Sequence, residues 1–156
     1  MPITLSQILA PDRVSCNVIC TSKKAALEKL AELIASGSPS LTQPEVFDCL
    51  FSRERLGSTG LGNGIALPHG RLKNGKQTLA AFIRLQEGID YDAIDHKPVD
   101  LLFALLVPEE STDEHLKILS TLAELFSNKE FLDRLRIEQS PDTLFRLLTD
   151  KPHVKQ

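Results

Sequence analysis

The sequence predicts one α/β domain over residues 1–156, with a mixed, mostly parallel sheet, one hairpin and helices on both faces. Three observations predict it. Short alternating or continuously apolar runs take turns with stretches of helical period, as α/β architectures require. The run Val99 to Val107 is continuously apolar after Asp100, the pattern of a central strand covered on both faces. Asn74-Gly75 is a hairpin turn signal that makes the following strand antiparallel to its predecessor.

Thr4-Leu5-Ser6-Gln7 has the form of a capping box for a one-turn helix closed by Pro11. Val14, Cys16 and Val18 alternate, giving a first strand over 14–18. Thr21 or Ser22 caps a helix whose stripe is Leu27, Leu30, Ala31 and Ile34, and Gly37 ends it. Thr42-Gln43-Pro44-Glu45 starts the next, with Val46, Phe47, Leu50 and Phe51 inward and Arg53, Glu54 and Arg55 at its end. A buried strand covers 65–67, another 78–85, then a loop Asp90 to Pro98 and the strand 99–107. Thr112 caps a long helix with Leu116, Leu119, Leu122, Ala123 and Phe126 inward. Asn128 caps one carrying Phe131, Leu132 and Leu135, and Ser140-Pro141 opens the last, with Leu144, Phe145, Leu147 and Leu148. The core is expected over about 5–148, with a frayed polar tail at 151–156.

Composition excludes several classes. A formal net charge of −3 lacks the basic excess of a nucleic-acid or anionic-membrane surface. The longest apolar run, Leu101 to Val107, is far short of a membrane span. No basic region followed by an apolar core marks an export signal, so a cytoplasmic protein is expected. Cys16, Cys20 and Cys49 form no CxxC pair and are expected as buried, reduced thiols.

The chemistry concentrates in Gly57-Ser58-Thr59-Gly60-Leu61-Gly62-Asn63-Gly64-Ile65-Ala66-Leu67-Pro68-His69-Gly70-Arg71. This reads as a flexible glycine loop, a buried strand and a histidine at the strand's exit. No Gly-Lys-Ser or Gly-Lys-Thr follows, so it is no P-loop. The glycines precede a strand instead of opening a helix, so it is no dinucleotide fingerprint. A neutral imidazole is a good nucleophile near pH 7 and a common metal ligand, and both classes stay open at this point, beside a hydrogen-bonded loop histidine. If strands 65–67 and 99–107 are parallel neighbours, His69 and His115, in the first turn of its helix, share one edge of the sheet. A helix start also favours a phosphoryl group.

Glu54, followed after six residues by Leu61-Gly62-Asn63-Gly64-Ile65-Ala66-Leu67-Pro68-His69-Gly70, resembles the phosphorylation-site signature of the fructose/mannitol class of enzyme IIA of the bacterial phosphotransferase system. Within that family the chain most resembles the nitrogen-regulatory enzyme IIA, a resemblance extended by Gly88 to Asp95 and Pro98 to Pro108. It implies a phosphotransferase without cofactor or metal, in which His69 accepts a phosphoryl group from a small HPr-like carrier. His115 matches the family's second active-site histidine and Arg53 its active-site arginine. Ser58, Thr59 and Asn63 are candidate contacts to the phosphoryl oxygens, with Arg55 and Arg71 weaker. His96 and His153 have no comparable support. Glu109, Glu110, Asp113 and Glu114 match the helix dipole or select partners.

The leading expectation is a phosphoryl carrier in signal transduction, whose phosphorylation state regulates cytoplasmic or membrane-associated partners. One alternative is a transport component passing the group to an enzyme IIB for fructose or mannitol. Others are a non-catalytic protein-binding module in which His69 is structural, and a zinc hydrolase using His69 and His115 without a convincing third ligand.

Overall fold

Six strands form one mixed sheet, and each of its faces is covered by a separate set of helices. The computed structural model describes residues 4–73, 75–110 and 112–149, apart from the side chains of Thr112 and Glu114. Asn74 of the expected turn, the capping side chain of Thr112, Glu114, and the tail with His153 lie outside the described residues.

The chain order is α1 (Leu5–Ile8), a 3-10 turn Pro11–Arg13, β1 (Val14–Val18), α2 (Lys23–Ala35), α3 (Gln43–Glu54), β2 (Gly60–Gly62), β3 (Ile65–Ala66), β4 (His69–Leu72), β5 (Leu79–Ile89), β6 (Val99–Pro108), α4 (Thr112–Leu125), α5 (Lys129–Ile137) and α6 (Pro141–Thr149). Helix starts are set locally. Ser22, Thr42 and Asn128 each accept the backbone N–H three residues on, which satisfies an otherwise orphaned donor. The sheet runs β1-β5-β6-β3-β2, with β4 also on β6. Three pairings, β1 with β5 and both β3 and β4 with β6, are parallel; β5 with β6 and β2 with β3 are antiparallel.

The strand expected over 65–67 continues further. Ile65 faces Leu101 and His69 faces Leu105, so the register on β6 is unchanged across Leu67-Pro68. Proline has no N–H for a ladder, and the line is interrupted there without shifting. His69 therefore begins β4 and does not follow the strand's end. The turn chemistry also moves. The tight hairpin is β2–β3, where Asn63 (φ 58°) and Gly64 (φ 81°) both have positive φ, as a type I′ turn demands. β4 and β5 are not ladder partners; β6 lies between them.

Alternation along β6 divides the core. Leu101, Phe103, Leu105 and Val107 join α4, α5 and α6, while Leu102, Ala104 and Leu106 join α2 and α3. Phe103 packs against Phe82 and Phe126, with ring centroids 6.5 and 5.7 Å away. On α4 the inward stripe is His115, Ile118, Leu122 and Leu125, with Phe126 just beyond the helix. Leu116 and Ala123, expected inside, are exposed. The apolar residues of this helix fit two overlapping stripes, and the buried one is the stripe that carries the histidine. The cysteines are free but half-buried. The Cys49 thiol is pushed up to about 11 by burial, then by Glu45. Gly70 lets α3 approach β4, because a Cβ there would lie 2.7 Å from Cys49 Sγ and 2.9 Å from its carbonyl oxygen.

Candidate active site

His69 shares its sheet face with Ile65 and Leu67, the face that α4 covers. Its position is fixed by backbone on both sides. Leu67 N–H donates to Thr59 O (3.0 Å), and Pro68 O accepts from Leu105 N–H (2.9 Å). The ring Nδ1 lies 2.8 Å from Leu67 O. A carbonyl only accepts, so Nδ1 carries the proton and Nε2 presents its lone pair. Burial lowers the His69 pKa; the Leu67 bond opposes this, Arg53 lowers it further, Glu54 raises it and Arg71 lowers it. The ring is neutral at pH 7.

His115 is buried, at 4 % exposed. Its ring meets His69 edge-on, with centroids 5.5 Å apart and planes at 66°. Its pKa falls to about 4, mainly through burial, then through His69, Arg71 and Arg53. Among the described residues, its buried Nδ1 has no hydrogen-bond partner. A buried polar atom in that condition is costly, and here it lies on the ring that faces the imidazole at β4.

Arg53, in the last turn of α3, is half-buried and donates from a terminal guanidinium nitrogen to Gly57 O (2.9 Å). Its charge acts on both histidines. So does that of Arg71, two residues beyond His69 on the same strand face. The period of two would have placed Arg71 there once β4 was known to run on past His69. Arg55 instead sits over the Phe51 ring, 6.0 Å from its centroid.

The other candidates are placed differently. The Ser58 hydroxyl donates to Tyr91 O (3.0 Å), and the buried Thr59 hydroxyl donates to Glu54 Oε1 (2.6 Å). Their protons are thus already engaged. Asn63 is exposed at the β2–β3 turn, where its N–H donates to Asp95 Oδ2 (3.0 Å) and its carbonyl accepts from Arg136 (2.6 Å). That turn adjoins Asp100 at the start of β6, while His69 faces Leu105, so the fold does not bring Asn63 to the histidines. Glu54, which stands at the head of the signature, is 5 % exposed and bonded to Lys23, Thr59 and Tyr91, a burial that sequence reasoning did not assign to it. The signal was present: Val46, Leu50 and Glu54 fall at successive i, i+4 positions of one helix face.

Glu109, Glu110 and Asp113 are exposed, as is His96. Among the described residues, no group of three or more His, Cys, Asp or Glu side chains could hold a metal ion. No helix among them is long and apolar enough to cross a membrane. Two neutral imidazoles in edge contact, one with its proton pinned away from the gap, under the field of two guanidinium groups, suit transfer of an anionic group to nitrogen.

The family described as phosphoenolpyruvate-dependent sugar phosphotransferase system, EIIA 2, matches residues 7–151. A nitrogen regulatory protein of Pseudomonas aeruginosa is 44% identical over 148 residues, covering 95% of this chain and 96% of the relative. The crystal structure of nitrogen regulatory protein IIA-Ntr from Neisseria meningitidis superposes with a TM-score of 0.88 at 45% identity, over 93% of this chain and 99% of that one. The mannitol IIA of Escherichia coli, with a TM-score of 0.75 at 22% identity over 89% and 97% of the two chains, shares the fold. The chain thus belongs to the EIIA 2 family of the phosphoenolpyruvate-dependent sugar phosphotransferase system, beside its nitrogen-regulatory members, and is a phosphotransferase that works through a phosphohistidine.

Proposed function

We propose that His69 accepts the phosphoryl group on Nε2 from the phosphohistidine of a small HPr-like carrier, and that the phosphorylation state of the chain then regulates other proteins. The observation that carries this reading is the Nδ1 to Leu67 O bond beside His115. In the transfer, the Nε2 lone pair forms the new N–P bond in line. The donor nitrogen leaves with the electrons of the old one. The ring of His69 gains positive character, which the Leu67 carbonyl stabilises at Nδ1–H. Arg53 and Arg71 offset the phosphoryl charge, and His115, neutral above its depressed pKa, donates a hydrogen bond to a phosphoryl oxygen.

The regulatory reading rests on 44% identity to a relative named for nitrogen regulation, above the 32% to a fructose-specific EIIA component and the 22% to a mannitol enzyme. The carrier docks over the glycine-rich segment, where Leu61 is 41 % exposed, with regulated partners among cytoplasmic or membrane-associated proteins. Incubation with phosphoenolpyruvate, enzyme I and the carrier is expected to give one acid-labile phosphate per chain, absent from His69→Ala. Labelling of His69→Ala at the wild-type level rejects the assignment.

A further inference from the structure

Glu54 is a buried carboxylate on which donors from three separate segments converge. Oε2 accepts the Thr59 N–H (2.9 Å) and lies 3.0 Å from Lys23 Nζ, at the first turn of α2. Oε1 accepts the hydroxyls of Thr59 (2.6 Å) and Tyr91 (3.1 Å). Lys23 also lies 4.5 Å over the Tyr91 ring. Burying an ion pair is weak support for stability, because desolvation offsets most of the attraction. A leucine continuing the Val46–Leu50 stripe would hold α3 in place without that cost.

The hydrogen bonds do not stop at Thr59. Its N–H is held by Glu54, and its own carbonyl accepts from Leu67 N–H (3.0 Å). The Leu67 carbonyl in turn accepts from His69 Nδ1 (2.8 Å). One unbroken run therefore leads from the Glu54 carboxylate, through the backbones of Thr59 and Leu67, to the ring at the site. Each link uses a different peptide group, so the coupling is geometric, and no proton moves along it. Thr59 is clamped at its N–H, its hydroxyl and its carbonyl, and cannot shift without moving Leu67 O.

We infer that Glu54 is a positioning residue for His69: through Thr59 and Leu67 it fixes the carbonyl that keeps the proton on Nδ1 and leaves Nε2 as the open nitrogen. This rests on the reading of His69 as acceptor and adds how the accepting nitrogen is chosen. The Glu54 charge also opposes the fields of Arg53 and Arg71 at the ring.

Long-range ¹H–¹⁵N spectra of the unphosphorylated protein read the tautomer directly and independently of phosphorylation. Wild type is expected to show His69 as a single Nδ1–H tautomer. Glu54→Gln keeps the shape but offers one acceptor oxygen where two are used, plus an NH₂ donor among donors. It is expected to populate the Nε2–H tautomer and to slow phosphorylation roughly tenfold to a hundredfold at saturating carrier, as misplacement by ~1 Å does, with KM for the carrier within about twofold. If that variant does not fold, Glu54→Asp retains the charge beside Lys23 while drawing the carboxylate back by ~1.5 Å, one C–C bond. The same direction is expected. Arg136→Gln, which breaks the Asp100 clamp at the other end of this edge, is expected to lower stability and leave the His69 tautomer unchanged. A His69 ring that stays pure Nδ1–H in the Glu54 variants overturns the inference, whether or not the rate falls. So does a tautomer shift of equal size in Arg136→Gln. Failure of wild type to be phosphorylated would sink the acceptor reading instead, while the tautomer measurement would still decide the role of Glu54.

Discussion

Acidification should expose the burial of His115 as a loss of stability. The folded-state pKa is about 4 against 6.5 for an unfolded chain. A base with a depressed pKa binds fewer protons when folded, so its contribution is intact above pH 6.5 and is lost as pH falls from there toward 4. Below that it changes no further. The full difference is worth on the order of 3 kcal/mol, and between pH 7.5 and 5 the loss is about 2 kcal/mol. Few carboxylates titrate in that interval, which isolates the histidines. His69, also depressed by burial, adds a loss of the same sign. Urea unfolding at pH 7.5, 6 and 5 is the assay, compared with His115→Gln, which cannot be protonated. The variant should lose about 2 kcal/mol less than wild type over the same range. Equal losses in the two proteins would refute the reasoning, because the acid sensitivity would then arise elsewhere.

Arg53→Ala and Arg71→Ala should each slow phosphorylation, and NMR titration should show the His69 and His115 pKa values rising, because both cations hold them down. Stability of Arg53→Ala should stay within ~0.5 kcal/mol of wild type in urea unfolding, since the side chain is half-exposed. Gly70→Ala should cost ~1–3 kcal/mol by the same assay, because the new methyl meets Cys49 Sγ and the Cys49 carbonyl under 3 Å away. Leu61→Ser should weaken carrier binding measured by calorimetry, and added salt should slow association if charges flanking the site steer the encounter.

Much of the fold was legible because local signals agreed with tertiary demands. Alternation placed Val14–Val18 correctly, and Ser22, Thr42 and Asn128 cap helices where side-chain chemistry puts them. The continuous run at 99–107 is the central strand, because helices cover both its faces. What escaped depends on pairing over long range. Pro68 looks like a strand terminator, yet β6 supplies a partner on either side of it, so the ladder resumes at His69. In the sequence Asn63-Gly64 is part of a glycine-rich loop, and only the positive φ values of the fold make it a tight hairpin. On α4, apolar residues occupy two adjacent stripes, and periodicity alone could not choose the one containing His115. The shared edge of His69 and His115 was expected on condition that strands 65–67 and 99–107 are parallel neighbours, which they are; the ring contact itself required the register of β4 on β6 and the return of α4 over that face. Glu54 heads the signature, but its burial escaped, because the donors that hold it come from Lys23, Thr59 and Tyr91, far apart in the chain.

The most direct test of the central claim is to identify the phosphorylated nitrogen. Uniformly ¹⁵N-labelled protein, phosphorylated through phosphoenolpyruvate, enzyme I and the carrier, would be examined for ³¹P–¹⁵N coupling at the histidine rings. The account predicts coupling to Nε2 of His69 alone, with the Nδ1 proton retained against Leu67 O. Coupling to Nδ1 of His69, or to either nitrogen of His115, would contradict it.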